Sequence, residues 1–242
     1  MAVRLPRRAV AATLLENEQL WLPELQSRLP LPVPKPIRVG YPQSSYPWRW
    51  SVTPWIAGDT VDRSAPDPDQ AIVLAAFLEA LHTPPPANAP RNPYRGVPLA
   101  QRQASFASST ATLAKRGYPI DHRLLDLWAD ALDRPIDVAP TWIHGDLHSH
   151  NVLVEHGRIS GVIDWGDVAQ GDRATDLAAV WILFPERESR EAVIATCKGV
   201  SSDTWQRARG WALLLSVVVL AAGDPALVGL AERTMQRLLD GP

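Results

Sequence analysis

Between Thr141 and Asp167 the chain reads TWIHGDLHSHNVLVEHGRISGVIDWGD, and its apolar residues leave little choice of local fold. Val152-Leu153-Val154 and the run Ile159 to Ile163 are short, β-branched and split by His156-Gly157, whose glycine admits positive φ, so a β-hairpin is predicted. Such a hairpin returns Asp164 to the side of Asn151, with Asp146 at the head of the same loop. Two oxygen ligands converging beside a further free carboxylate suit a hard divalent cation that keeps some waters and binds phosphate oxygens, as Mg²⁺ does. Asp146 is then placed as a base.

The order His144-Gly145-Asp146-Leu147-His148-x-x-Asn151, followed by Ile163-Asp164-Trp165, resembles the signature of the aminoglycoside phosphotransferase and choline kinase-like family. The Asp-x-x-x-x-Asn spacing is also that of the protein-kinase catalytic loop. The resemblance implies Asp146 as catalytic base, Asn151 and Asp164 as Mg²⁺ ligands, and ATP or GTP as phosphoryl donor. It implies support for the loop from His144 and from Asp176, which lies in Gly171-Asp172-Arg173-Ala174-Thr175-Asp176-Leu177-Ala178. His148 and Asp167 stand open between loop structure and the acceptor side. An Asp-x-x-x-x-Asn pair alone is weak, since Asp and Asn commonly cap turns; the flanking His-Gly and Ile-Asp-Trp supply the specificity.

A rival lies in the histidines. His144, His148 and His150 crowd around Asp146, a pattern open to a metal hydrolase. A catalytic zinc site needs three rigid protein ligands held by supporting hydrogen bonds, and His82, His122 and His156 sit beside a Pro-rich linker, at a helix start and in a turn.

Ahead of this stretch, Ala2 to Pro6 reads as a short strand and Arg8 to Leu22 as an amphipathic helix with Leu14, Glu18, Trp21 and Leu22 on one stripe. Glu18 in an apolar stripe needs a partner, because an unpaired buried charge costs about 3 to 5 kcal/mol. The family pairs a strand lysine with a helix glutamate to hold the α and β phosphates, so the resemblance implies Arg4 and Glu18 in those places. Arginine for lysine is a departure, since a planar fork does not replace a compact ammonium. Pro47 to Ile56 reads as a strand leading to Gly58, its tryptophan side chains packed on a core. The resemblance makes Pro54, Trp55 and Ile56 the hinge whose backbone holds the adenine. The first glycine is Gly40, so no Gly-rich loop precedes Arg4. The small lobe is therefore expected to lack the two strands that cover the phosphates in that family and to bind nucleotide weakly. A nucleotide-binding protein without useful turnover is the alternative this leaves.

Seventeen of the 23 prolines lie at or before Pro98, which makes Leu29 to Pro36 a stiff extended connector and moves the helices downstream. Asp67-Pro68-Asp69-Gln70 carries N-cap, N1 proline and N3 glutamine ahead of Leu74, Phe77, Leu78 and Leu81. Further helices are predicted at 99–116, 121–132, 174–183, 186–197, 203–222 and 225–239. The fold class that follows is α+β, a kinase-like two-lobe fold with a truncated small lobe (1–57) and a mainly helical lobe (58–242).

A net charge of −2 gives no field to attract nucleic acid. The apolar run Trp211 to Ala222 is too short to span a membrane, and Cys197 as sole cysteine fits a reducing, cytoplasmic setting. The partner expected is a small molecule bearing a hydroxyl. From Asp164 onward there are 11 acidic and 8 basic residues, compatible with a cationic acceptor without selecting one, and aminoglycosides, sugars, amino alcohols and amino acids all stay open.

Overall fold

A computed structural model of the chain describes residues 1–241. Its first layer is a small antiparallel sheet of β1 (Ala2–Arg4), β2 (Arg38–Gly40) and β3 (Trp50–Thr53), in the order β1-β3-β2. β2 has no sequence signature, being three residues long; Gly40 pairs with Trp50, whose ring fills the space a Cβ at Gly40 would occupy.

The helix after β1, α1 (Ala9–Leu25), outruns its predicted end at Leu22 and carries Pro23 inside it. An interior proline costs about 3 kcal/mol. Leu22 and Leu25 are fully buried, and burying each leucine is worth about 1.5 to 3 kcal/mol, so packing holds the last turn together. Strand β3 corrects a second expectation. Its inward residues are Ser51 and Thr53, while Trp48 and Trp50 are only partly buried and Trp55 is 73% exposed. The reason is Gln19 on α1, whose Nε2 donates to Trp50 O at 3.1 Å and to Ser51 Oγ at 2.8 Å, giving that face of the sheet a polar partner rather than an apolar one.

Residues 29–37 form the irregular connector its prolines require. It lies along the hairpin: Leu31 and Val33 are buried, and Pro32 O accepts the Val162 N–H at 3.0 Å. The short β4 (Asp59–Thr60) then pairs with the first strand of that hairpin, β6 (Val152–Glu155), which pairs in turn with β7 (Arg158–Val162). His156 and Gly157, both at positive φ, make the predicted turn. A second pair joins β5 (Thr141–Ile143) to β8 (Ala169–Gly171).

Around these strands stand α2 (Gln70–Leu81), a 3₁₀ turn (Leu99–Arg102) running into α3 (Gln103–Lys115), α4 (His122–Asp133), α5 (Ala174–Leu177), α6 (Ala179–Leu183), α7 (Arg187–Thr196), α8 (Ser202–Ala222) and α9 (Pro225–Leu239). The fully buried Trp211 to Leu213 put α8 at the centre, packed on by α3, α4, α5 and α9. The class is α+β, with a small sheet lobe and a mainly helical lobe. No helix among the described residues is long and apolar enough to cross a membrane.

The predicted capping arrangement at Asp67 does not form. The helix begins at Gln70, and the Gln70 side chain, 1% exposed, accepts the Ile159 N–H at 3.0 Å through Oε1 and donates to Asp69 Oδ1 at 2.9 Å. The glutamine serves the hairpin instead of its own helix, beside the register shift between Leu153 and Val154. Gln70→Ala leaves a buried N–H without an acceptor and is expected to lower unfolding free energy by about 1 to 3 kcal/mol. Urea denaturation checks this, and an unchanged midpoint would show the bond to be dispensable.

Candidate active site

β5 and β8 present two loops side by side, residues 144–151 and 163–168. Their approach depends on Gly145, at φ +86°, where a Cβ would stand 2.6 Å from Asp167 O. Behind them lies Asp176, fully buried on α5. It accepts the His144 N–H at 2.7 Å and the Gly145 N–H at 2.9 Å, and His82 Nε2 stands 3.3 Å from the same carboxylate. The His144 ring, also buried, accepts the Asp146 N–H at Nδ1 (3.3 Å) and faces Ile163 O with Nε2 (3.0 Å), edge-on to Trp165. Both ring nitrogens therefore hold backbone, which ties one loop to the other. That corrects the metal-hydrolase alternative: His144 has no nitrogen to spare, and no set of three metal-ligating side chains occurs among the described residues.

Asp146 projects from this braced loop. Its Oδ1 accepts from Arg95 Nη2 at 2.8 Å, and its Oδ2 lies 3.3 Å from His148 Nε2. His148 Nδ1 accepts the His150 N–H, and Nε2 lies between the carboxylate and Asn151 Nδ2, 3.3 Å from each. Burial pushes the Asp146 pKa up, but the His148 hydrogen bond and the Arg95 charge outweigh it and hold the carboxyl well below the usual range. The group is ionised at neutral pH. Asp167, left open by the sequence, is bound within the loop architecture: its Oδ1 accepts from Asn92 Nδ2 at 2.6 Å.

Asn151 gives its amide N–H to Asp146 O at 2.8 Å, and its own carbonyl accepts the Ile163 N–H at 2.9 Å, so the hairpin does bring the loop of Asn151 to that of Asp164. Asp164 holds a left-handed backbone (φ 60°, ψ 67°), a conformation that costs a non-glycine residue about 1 to 3 kcal/mol and is common at functional sites. Its half-exposed carboxylate takes Arg4 Nη2 on Oδ1 at 2.9 Å. Arg4 Nη1 stands 2.7 Å from Glu18 Oε2, and neither Glu18 oxygen has a hydrogen bond of good geometry, so this is a charge contact. Arg4 thus bridges the buried glutamate of α1 and the aspartate after the hairpin.

Two cavities flank the loops. One, of about 670 Å³, gathers Arg4, Pro54, Trp55, Ile56, Leu153, Ile163 and Asp164 between the small sheet and the hairpin. The other, of about 240 Å³, lies beside Asp146 and His148 and runs between α6, α8 and α9. The sequence reading missed Arg95, Asn92 and His82. Asn92 Oδ1 accepts the N–H groups of Tyr94 and Arg95, an Asx turn legible in Asn-Pro-Tyr-Arg-Gly, but the docking of the Arg95 side chain onto Asp146, fifty-one residues away, carries no local signal.

A family model described as the phosphotransferase enzyme family matches residues 1–211. An aminoglycoside 3'-phosphotransferase of Escherichia coli is 31% identical over 153 residues, 57% of this chain and 53% of that protein. The match therefore spans about half the relative's length. A thiamine kinase of Salmonella newport (strain SL254) is 29% identical over 202 residues, 78% of this chain and 68% of that protein. Among solved structures, the GDP and kanamycin complex of APH(2")-IIia superposes with a TM-score of 0.65 at 19% identity, covering 99% of this chain and 87% of the other. Macrolide 2'-phosphotransferase type I gives 0.58 at 23% identity, covering 96% and 82%. At these identities the structures establish the fold, which is the kinase-like one.

The Glu18 carboxyl is pushed up to about 7 by burial, against the lowering charge of Arg4, with Asp164 raising it further. A carboxyl whose folded pKa exceeds its ordinary 4.5 contributes stability that is complete below about pH 4.5 and is lost as pH rises through 7. A shift of that size amounts to about 3 kcal/mol. Nucleotide-free protein is expected to lose stability across this window in urea titrations, and Glu18→Gln, which cannot ionise, should flatten the loss. An equal pH slope in both proteins would place the titration elsewhere.

Proposed function

Since the chain belongs to the phosphotransferase enzyme family, we propose that it transfers the γ-phosphoryl group of ATP or GTP to a hydroxyl of a small molecule. The observation that carries this reading is the placement of Asp146. It borders the smaller cavity, while the loop it begins is hydrogen-bonded through Asn151 to the strand end that delivers Asp164 to the larger one. Acceptor and nucleotide would then meet across one rigid loop.

In this reading the nucleotide lies in the 670 Å³ cleft. The backbone of Pro54, Trp55 and Ile56 holds the base, and Arg4, kept in place by Glu18, meets the phosphates. The donor set fits magnesium. Asn151 donates from Nδ2 to Asp146 O and faces His148 Nε2 with the same nitrogen, leaving its oxygen available, and Asp164 supplies a half-exposed carboxylate. These are hard oxygen ligands of the kind that hold Mg²⁺ alongside substrate phosphates. When bound, the ion neutralises charge on the phosphate oxygens. The acceptor oxygen forms its bond to the γ-phosphorus as the bond to the β-bridging oxygen breaks. The nucleoside diphosphate leaves, and the hydroxyl proton passes to Asp146. His148 and Arg95, both on the Asp146 carboxylate, fix its direction, and Asp176 with His144 fixes the loop that carries it.

Transfer is to be measured with γ-labelled ATP and GTP against aminoglycosides, amino alcohols, sugars and hydroxy acids in the presence of Mg²⁺. Asp146→Asn is expected to lower the rate by about 10² to 10⁴, the worth of a positioned base, with the unfolding midpoint unchanged. Asp164→Ala is expected instead to weaken binding of Mg²⁺-nucleotide, read by calorimetry. Parental turnover in Asp146→Asn would remove the assigned base, and absence of both nucleotide binding and transfer would remove the reading.

A further inference from the structure

The 240 Å³ cavity has two unlike ends. Its body is aliphatic, walled by Leu214, Leu215, Val218, Val219, Leu227 and Leu230 from α8 and α9. Two hydroxyl residues on that wall do not make it polar, because Ser216 Oγ donates to Ala212 O at 2.8 Å and Thr234 Oγ1 to Leu230 O at 3.0 Å, each spent on its own helix. The other end holds Asp146, His148, Arg95 and Arg102. Asp146 is the one carboxylate on the lining, against two guanidinium groups, so the excess of acidic residues after Asp164 does not reach the cavity.

Those two arginines are incompletely partnered. The Nε of Arg95 and the Nε of Arg102 are buried with no hydrogen-bond acceptor. Arg102 lies over the Tyr94 ring at 5.4 Å and reaches only Ser105 Oγ, at 3.4 Å. Burial first, and then the neighbouring charge of Arg95, lower the Arg102 pKa. Among the described residues the one carboxylate paired with either arginine is Asp146, on Arg95, and a planar guanidinium is shaped for a carboxylate or phosphate.

We propose that the cavity beside Asp146 takes an apolar hydroxy acid as acceptor: an aliphatic body between α8 and α9, with the hydroxyl and an anionic group together at the Asp146 end. This rests on the phosphotransferase reading for the role of Asp146, but not for the binding chemistry. The anion meets Arg95 and Arg102, and the hydroxyl meets Asp146. A polycation of the aminoglycoside kind would set its ammonium groups against two guanidinium groups and an aliphatic wall. The volume is below the roughly 300 to 1,000 Å³ of pockets that enclose drug-sized ligands, which also favours a compact acceptor.

Three probes of one length separate the charges: 3-hydroxyoctanoate, its neutral methyl ester and the cationic 1-amino-3-octanol, each titrated into the full chain by calorimetry. The acid is expected to bind about tenfold more tightly than the ester, with the amine weakest. Arg102→Gln should bring the acid to the affinity of the ester and leave the ester and nucleotide unaffected. The proposal falls if the amine binds as well as the acid, if none of the three binds, or if kanamycin binds more tightly than all three. Transfer from γ-labelled ATP or GTP separates this from the phosphotransferase reading. Binding of the acid without transfer counts against that reading and keeps the cavity assignment. Phosphorylation of kanamycin with no binding of the acid keeps the reading and overturns the assignment.

Discussion

The arrangement of the site depends on one buried carboxylate. Asp176 is removed from water, and a buried charge persists only where donors surround it; here they are the N–H groups of His144 and Gly145, with His82 beside them. Those bonds set the path of the chain as it leaves β5, and every later contact inherits that path: Asp146 toward Arg95, the His144 ring toward Ile163, Asn151 toward Asp146 O. Asp176 is placed in turn by a second buried pair. Arg207 of α8 grips Asp172 with two nitrogens, at 2.7 and 3.1 Å, just before α5 begins. The central helix of the large lobe is thus linked to the loop through two carboxylates four residues apart.

The same economy of polar atoms shapes the larger surroundings. α8 and α9 can present an aliphatic wall because their hydroxyls turn back onto their own carbonyls, a bond available only inside a helix. The small sheet does the reverse. Ser51 and Gln19 meet each other across the face that would otherwise be apolar, so α1 is held to β3 by hydrogen bonds where its outer turns are held by leucines.

What the sequence disclosed follows from how local each cause is. The hairpin was legible because its turn and its β-branched runs lie within eleven residues of one another. The helix starting at Asp121 was legible because the capping bond, Asp121 Oδ1 to Arg123 N–H at 2.8 Å, spans two residues. Glu18 was legible as a residue in need of a partner because it falls on an apolar stripe, and Arg4 stands beside it. Causes acting across the chain left no mark. Gln70 was read as a cap because caps are local, whereas its carboxamide is taken by Ile159. Tryptophans on alternate positions of β3 suggested an apolar inner face, but the helix opposite offers an amide. The first helix was read as ending at Leu22, but the depth at which Leu22 and Leu25 are buried is a property of the whole lobe.

The connector along the hairpin carries a consequence for how the protein behaves in company. β7 is the outer strand of its sheet, and an open strand edge is a template on which another chain can add. Pro32 O takes the Val162 N–H there, while prolines at positions 30, 32, 34 and 36 deny the connector the donors it would need to become a strand itself. At Val162 the edge meets a segment that cannot pass the ladder on, so the prolines disfavour addition of a further strand there.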